Sequence, residues 1–294
     1  MPSLIGNFIF EDELYFAQDE AHETIDGYLI ATDMLVERME QIVKEKHMKK
    51  ILKSKNDFRE TVIVLAFAFL WNAAVYLGAR QIAQFWHHYD MTTSIDRLVP
   101  FLPWTVSIYF GCYLFWCINY YLCAVQERTE RDRFFCADAL AKGICFLLFL
   151  LIPATNIRPE IIGDTIWEAL MKLLYSVDAA DNLFPSIHCL VSWLCWIGVR
   201  KRKDIPVLYQ LFSLAMAVAV CLSTLTTRQH VIADVIGGVA LAEASYILAG
   251  YTKIRRYYSN SISLIKSKLF PYICFILITV LTFYEAPQYR FFCI

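Results

Sequence analysis

Residues 226–238 read TTRQHVIADVIGG, and they join two apolar runs, at about 206–225 and 230–250. A histidine and, four positions on, an aspartate stand at the start of the second run. Positions i and i+4 share one face of a helix, so His230 and Asp234 touch if this stretch is helical. A carboxylate held against an imidazole orients a histidine for chemistry. The same pair also occurs where a helix merely meets water, and the rest of the chain decides between the two.

The 294 residues are 58% hydrophobic and 19% charged, whereas soluble domains run about 45–50% apolar and about 25% charged. That excess identifies a membrane protein. A net charge of −1, without a clustered basic face, offers nothing for nucleic acid to bind. Most cysteines, among them Cys112, Cys117, Cys145, Cys195, Cys221 and Cys274, lie in apolar runs with no CxxC pair, so they are expected to be packing residues. The acidic opening MPSLIGNFIFEDELYFAQDEAHE lacks the basic flank and small-residue cleavage site of a signal peptide.

Apolar runs near the roughly 20 residues that cross a bilayer predict six spans, at about 62–84, 104–124, 134–153, 186–199, 206–225 and 230–250. A shorter run at 269–284 is a candidate seventh. The expected fold is therefore all-α, a polytopic membrane helix bundle. Its expected organisation is a cytoplasmic segment 1–58, a transmembrane core 59–252, and a basic loop with a further helix at 253–294. Between Asp33 and Leu52, apolar residues recur every three to four positions among Lys and Glu, which predicts a basic amphipathic helix on the membrane surface. A helix of a small cytosolic module fits the same pattern.

Lys and Arg collect before the first span (KEKHMKKILKSK) and after the second (Arg128, Arg131, Arg133), the fourth (RKRK, 200–203) and the sixth (KIRR, 253–256). All four groups fall on one side, which the positive-inside rule makes cytoplasmic. Segments 85–103, 154–185 and 226–229 then face outward, and so do the outer ends of spans three, four and six. Those ends offer Arg158 (before a proline), Ser186, His188, Arg228, His230 and Asp234. Histidines, arginines and a carboxylate converging from separate helices suit phosphoryl transfer without a metal: one imidazole attacks phosphorus, a second protonates the leaving oxygen, and guanidinium groups hold the phosphate. Helix N-termini at Ser186 and near His230 add N–H donors, although a serine ahead of a helix is also an ordinary N-cap.

At these residues the sequence resembles the type 2 phosphatidic acid phosphatase (PAP2) superfamily, whose motifs read about K-x6-RP, P-S-G-H and S-R-x5-H-x3-D. IRP (157–159), PSIH (185–188) and Ser223 with His230 and Asp234 correspond, within roughly residues 60–250. Three positions depart: Leu151 replaces the family's Lys, Ile187 its Gly, and Thr224 its third-motif Arg, for which Arg228 is the candidate substitute. The FPSIH form and SIDRLVPFLPW (94–104) look more like the branch of inositol phosphorylceramide synthases and their bacterial relatives.

The resemblance implies a six-helix PAP2-like core, with His230 as nucleophile, Asp234 as its orienting partner, His188 as general acid, and Arg158, Ser186 and Arg228 as phosphate binders. It implies a lipid phosphate phosphatase acting at the outer face of the cell membrane, with lipid substrates and no cofactor or metal. A headgroup phosphotransferase and an inactive lipid-binding or lipid-transport protein are the alternatives. The zinc-protease motif HExxH is missing, since HETID (22–26) ends in Asp. His188, His230 and Asp234 are nonetheless acceptable zinc ligands by type, and activity that survives a chelator argues against zinc.

Two charges fall inside predicted spans, Lys142 in the third and Glu243 in the sixth, at about the same depth. An ionised group there needs a partner. Pairing of Lys142 with Glu243 between helices is one expectation, and pairing with Asp138, one turn away, or snorkelling to the interface are the others.

The orientation is testable in intact cells. A membrane-impermeant thiol reagent is expected to label an Asp164→Cys variant above the parent's own background and to leave a Lys201→Cys variant at background. The reverse pattern would place His230 in the cytoplasm.

Overall fold

The computed structural model describes residues 58–264. The expected amphipathic helix before the first span and the candidate seventh span lie outside the described residues. Residues Val64–Ser259 form one compact unit, and the contacts below lie within it.

The helices, in order, are α1 (Phe58–Ala83), α2 (Ser94–Leu98), α3 (Val106–Ala124), α4 (Arg128–Leu151), α5 (Ile166–Val177), α6 (Ile187–Val199), α7 (Val207–Thr226), α8 (Ile232–Leu248) and α9 (Thr252–Leu264). A 3-10 turn over Pro103–Thr105 precedes α3. Tyr89–Asp90 and Ala154–Thr155 form a two-residue parallel strand pair, β1 and β2, which ties the segment after α1 to the one after α4. The chain is thus the expected all-α membrane bundle. α1, α3, α4 and α7 are each long and apolar enough to cross a bilayer, and a bent pair of α8 with α9 counts as a fifth candidate.

Each predicted span falls on a helix, but the ends move for physical reasons. α4 starts at Arg128 rather than near 134, because Glu130 in its first turn complements the helix dipole and Arg128 pairs with Asp132 one turn on. α6, at 13 residues, rises only about 20 Å, less than the ~30 Å hydrocarbon core. It packs instead against α3, α4, α7 and α8. A short helix that is apolar all round suits a place inside a bundle.

The structure corrects the pairing expected of the two deep charges. Lys142 bonds Asp138 at 2.8 Å, and Asp138 also accepts from the Tyr120 hydroxyl at 2.5 Å. Glu243 is held by both terminal nitrogens of Arg200, at 2.6 and 2.8 Å, and by the Trp193 indole at 2.9 Å. Lys142 reaches a carboxylate on its own helix one turn away, and Arg200, at the end of α6, reaches across to α8. The local alternative prevails over the interhelical clasp. Of the cysteines expected to pack, Cys112, Cys145, Cys195 and Cys221 are buried and Cys117 is exposed; Cys274 lies outside the described residues.

Helix α5 was not expected within the 154–185 connection. Its inward face places Met171 and Leu174 against Val106 and Tyr109, with Leu170 and Tyr175 alongside. Ile166, Leu173 and Val177 extend this apolar face on one side and are exposed, and Glu168, Lys172 and Ser176, at i, i+4 and i+8, form the polar face.

The GG of the opening segment sets how closely α8 meets the start of α6. A Cβ on Gly238 would stand 2.5 Å from the Ser186 carbonyl oxygen, and one on Gly237 would stand 2.8 Å from the Phe184 ring. Gly238→Ala is therefore expected to destabilise the folded protein by about 1–3 kcal/mol through overpacking against backbone. Gly111→Ala, where nothing lies within 4 Å, is expected to be neutral or slightly stabilising. Thermal unfolding of the two variants in the same detergent checks this.

Candidate active site

The turn between α7 and α8 builds the first half of the site. The Gln229 N–H bonds the Thr224 carbonyl at 3.0 Å and the Arg228 N–H bonds that of Leu225 at 3.1 Å, which is the Schellman closure of a helix. That closure requires a left-handed residue, and Arg228 supplies it with φ 55°. A non-glycine residue there costs about 1–2 kcal/mol. The Arg228 guanidinium offsets this by donating to the carbonyls of Asp96 (2.6 Å) and Val99 (2.5 Å). The turn also brings the His230 N–H onto the Thr224 carbonyl at 3.1 Å, and α8 starts two residues later.

Asp234 lies in the first turn of α8. Its Oδ2 accepts from the Val231 N–H at 3.0 Å and lies 3.2 Å from Nδ1 of His230. One oxygen thus caps the helix and orients the imidazole. The contact forms although His230 precedes the helix: the backbone at Val231 is extended, with φ −102° and ψ 167°, and the capping carboxylate reaches back to the ring. Asp234 is fully buried and His230 is 8% exposed. A second carboxylate serves the same helix end: Asp96 Oδ1 accepts from the Ile232 N–H at 2.7 Å, and its Oδ2 accepts from the Thr93 hydroxyl and N–H. Burial alone would raise the Asp96 carboxyl, but these hydrogen bonds hold it below its ordinary range.

The second half comes from α6. Ser186 is its N-cap, accepting from the Cys189 N–H at 3.4 Å, and the Ser186 N–H bonds the Asp234 carbonyl at 3.0 Å. This backbone link sets His188 beside His230, with ring centroids 6.2 Å apart. His188 lies against Tyr109, Tyr113 and Trp116, which share one face of α3 at i, i+4 and i+7. Its Nδ1 is 3.3 Å from the Tyr109 hydroxyl, which in turn donates to Asp178 Oδ2 at 3.1 Å. The Tyr76 hydroxyl donates to the other oxygen of Asp178.

A cavity of about 230 Å³ opens onto both imidazoles. Asn72, Tyr76, Tyr113, Trp116, Asp178 and Asp181 contribute much of its wall. The predicted residues His188 and His230 line it, with Asp234 directly behind. Ser186, Arg158 and Arg228 do not line it. The Arg158 guanidinium bonds the carbonyls of Asp178 and Ala179 and, at 2.5 Å, the side-chain oxygen of Gln229, beside His230. It also lies 4.8 Å from the Tyr175 ring centroid. Both arginines therefore brace the segments that carry the histidines.

Sequence reasoning missed Tyr109, Asp178, Tyr76 and Asp96. The aromatic stripe of α3 was a signal within reach. Asp178, in the run YSVDAADN, was not, because its partners lie 69 and 102 positions away.

The two halves place a carboxylate-oriented imidazole and a second imidazole on one cavity, beside the α6 and α8 N-termini. No curated protein matches the chain, and neither does any solved structure. The sequence profile of the PAP2 superfamily matches residues 83–248, more than half of the chain and all of the elements that carry this geometry except α1. The protein belongs to the PAP2 superfamily.

Proposed function

We propose that the chain is a membrane-embedded enzyme that cleaves the phosphate of a lipid phosphate at the extracytoplasmic face, without a metal, through a phosphohistidine at His230. The observation that carries this reading is the His230–Asp234 pair facing His188 across one cavity. With Nδ1–H donated to Asp234, the lone pair of His230 Nε2 is free to attack phosphorus, and the carboxylate stabilises the charge that develops on the ring. His188 supplies the proton to the leaving oxygen and afterwards takes one from water. Membership of a superfamily of phosphatases and phosphotransferases supports the reaction class. The outward orientation rests on the Lys and Arg distribution.

In this reading Arg158, Ser186 and Arg228 act behind the site. Arg158 holds the Asp178 segment to Gln229, Ser186 caps α6, and Arg228 clamps the α2 loop. The phosphate oxygens then meet the imidazoles and the N-terminus of α6, since the Val231 and Ile232 N–H groups at the start of α8 are taken by Asp234 and Asp96.

A second reading, headgroup transfer to a lipid hydroxyl, is favoured by the charge of the cavity wall. Two aspartates and no Lys or Arg line it among the described residues. A phosphodiester, with one negative charge, is repelled less there than a phosphomonoester dianion. The branch resemblance noted in the sequence points the same way. Incubating purified protein with a panel of lipid phosphates and phosphodiesters, with and without a diacylglycerol or ceramide acceptor and in the presence of a chelator, separates the two. Free phosphate from a monoester, or a headgroup phosphomonoester from a diester, marks hydrolysis, and a new phospholipid marks transfer.

Rapid quench without acid, using labelled substrate, is expected to trap phosphohistidine. His230→Ala is expected to lose turnover at least about a thousandfold together with the trapped label. Label on serine, or label retained by His230→Ala, would overturn the assignment. A chain with no turnover on any substrate that still binds lipid would instead be the inactive lipid-binding alternative.

A further inference from the structure

His188 is held from behind as well as facing the cavity. Its ring centroid lies 4.4 Å from that of Tyr109, and its Nδ1 is 3.3 Å from the Tyr109 hydroxyl. A hydroxyl has one proton. Tyr109 gives that proton to Asp178 Oδ2, 3.1 Å away. The remaining contact with His188 is then one in which Nδ1–H donates to the phenolic oxygen. This sets the tautomer, so Nε2, which lies 3.5 Å from the Tyr113 hydroxyl on the cavity wall, is the atom left to exchange a proton. Tyr76 fixes the carboxylate through its other oxygen.

The titratable and charged groups around His188 come from every neighbouring element. Tyr109 and Tyr113 face it from α3, Asp178 from the segment after α5, and His230 from the turn before α8. Cys189 is its chain neighbour. From α1, Tyr76 reaches Asp178, and Arg80 is engaged with Asp181 at 2.9 Å. Asp178 is the carboxylate in line with the imidazole.

The geometry points to Tyr109 and Asp178 as positioning residues for His188, forming a tyrosine-bridged histidine–aspartate pair that parallels the direct pair of His230 and Asp234. This rests on the roles proposed above for the two histidines. In the first half-reaction a P–N bond forms at His230 Nε2 as the P–O bond to the leaving group breaks, and the leaving oxygen takes the proton from His188 Nε2. In the second, His188 Nε2 takes a proton from water or a lipid hydroxyl while that oxygen bonds phosphorus and the P–N bond breaks. His188 alternates between imidazolium and imidazole, and no proton has to travel beyond it. The bridge aims Nε2, and the negative charge of Asp178 favours the imidazolium.

Tyr109→Phe and Asp178→Asn keep shape and remove, respectively, the bridging oxygen and the charge, and unfolding in detergent shows whether each variant is folded. Two labelled substrates are compared: a lipid alkyl phosphate, whose leaving oxygen needs a proton, and a nitrophenyl phosphate ester, whose leaving group does not. On the alkyl ester each variant is expected to turn over about 10- to 100-fold more slowly. In Asp178→Asn the basic limb of the pH–rate profile is expected to move down by roughly one pH unit. With the nitrophenyl ester each variant is expected to lose a clearly smaller factor than on the alkyl ester, and on the alkyl ester the double variant is expected to lose no more than the worse single one. An unmoved limb, equal losses on the two esters, or additive losses in folded variants would overturn the pairing. A parent enzyme that turns over without phosphorylating His230 would overturn the nucleophile instead, and the limb shift would still decide the pairing.

Discussion

The hydrogen bond from the Ser186 N–H to the Asp234 carbonyl, at 3.0 Å, is the contact on which the site depends. It joins the cap of α6 to the first turn of α8, so each helix start fixes the other. The approach is available because Gly237 and Gly238 present no side chain to Phe184 and Ser186. One turn above, Asp234 caps α8 and orients His230 with a single oxygen. A bundle that separated α6 from α8 would lose the capping geometry and the juxtaposition of imidazoles together.

Burial in a membrane protein makes each polar group a demand for a partner, because no solvent is present to supply one. The deep charges meet it in two ways. Lys142 and Asp138 settle within one helix, while Glu243 and Arg200 settle between two. At the site end the arginines turn to backbone carbonyls, which loops leave unpaired in number. Arg158 and Arg228 together bind carbonyls of Asp178, Ala179, Asp96 and Val99. These bonds fasten the connecting segments over the helix starts, and among the described residues no arginine or lysine lines the cavity wall.

Much of this was legible in the chain. Long apolar runs report helices wherever a membrane is the solvent, since an unpaired backbone there is too costly. The spacing of His230 and Asp234 marked them as a pair, although a helix cap rather than a helix turn joins them, and the order of IRP, PSIH and H-x3-D carried the family resemblance. The α5 helix was legible in principle from its apolar face, but a short amphipathic stretch in a connection competes with any irregular loop of similar composition.

Local spacing and hydrophobicity by themselves determined the class and the helix order, and singled out His230 and Asp234 as a pair. Tertiary structure alone decided what crosses between elements. It set Tyr109 between His188 and Asp178, Asp96 on the Ile232 N–H, and Arg200 rather than Lys142 on Glu243. The physical reason is range. Helical periodicity constrains neighbours three or four positions apart, whereas a guanidinium or carboxylate takes whichever partner the packing of distant segments brings within about 3 Å.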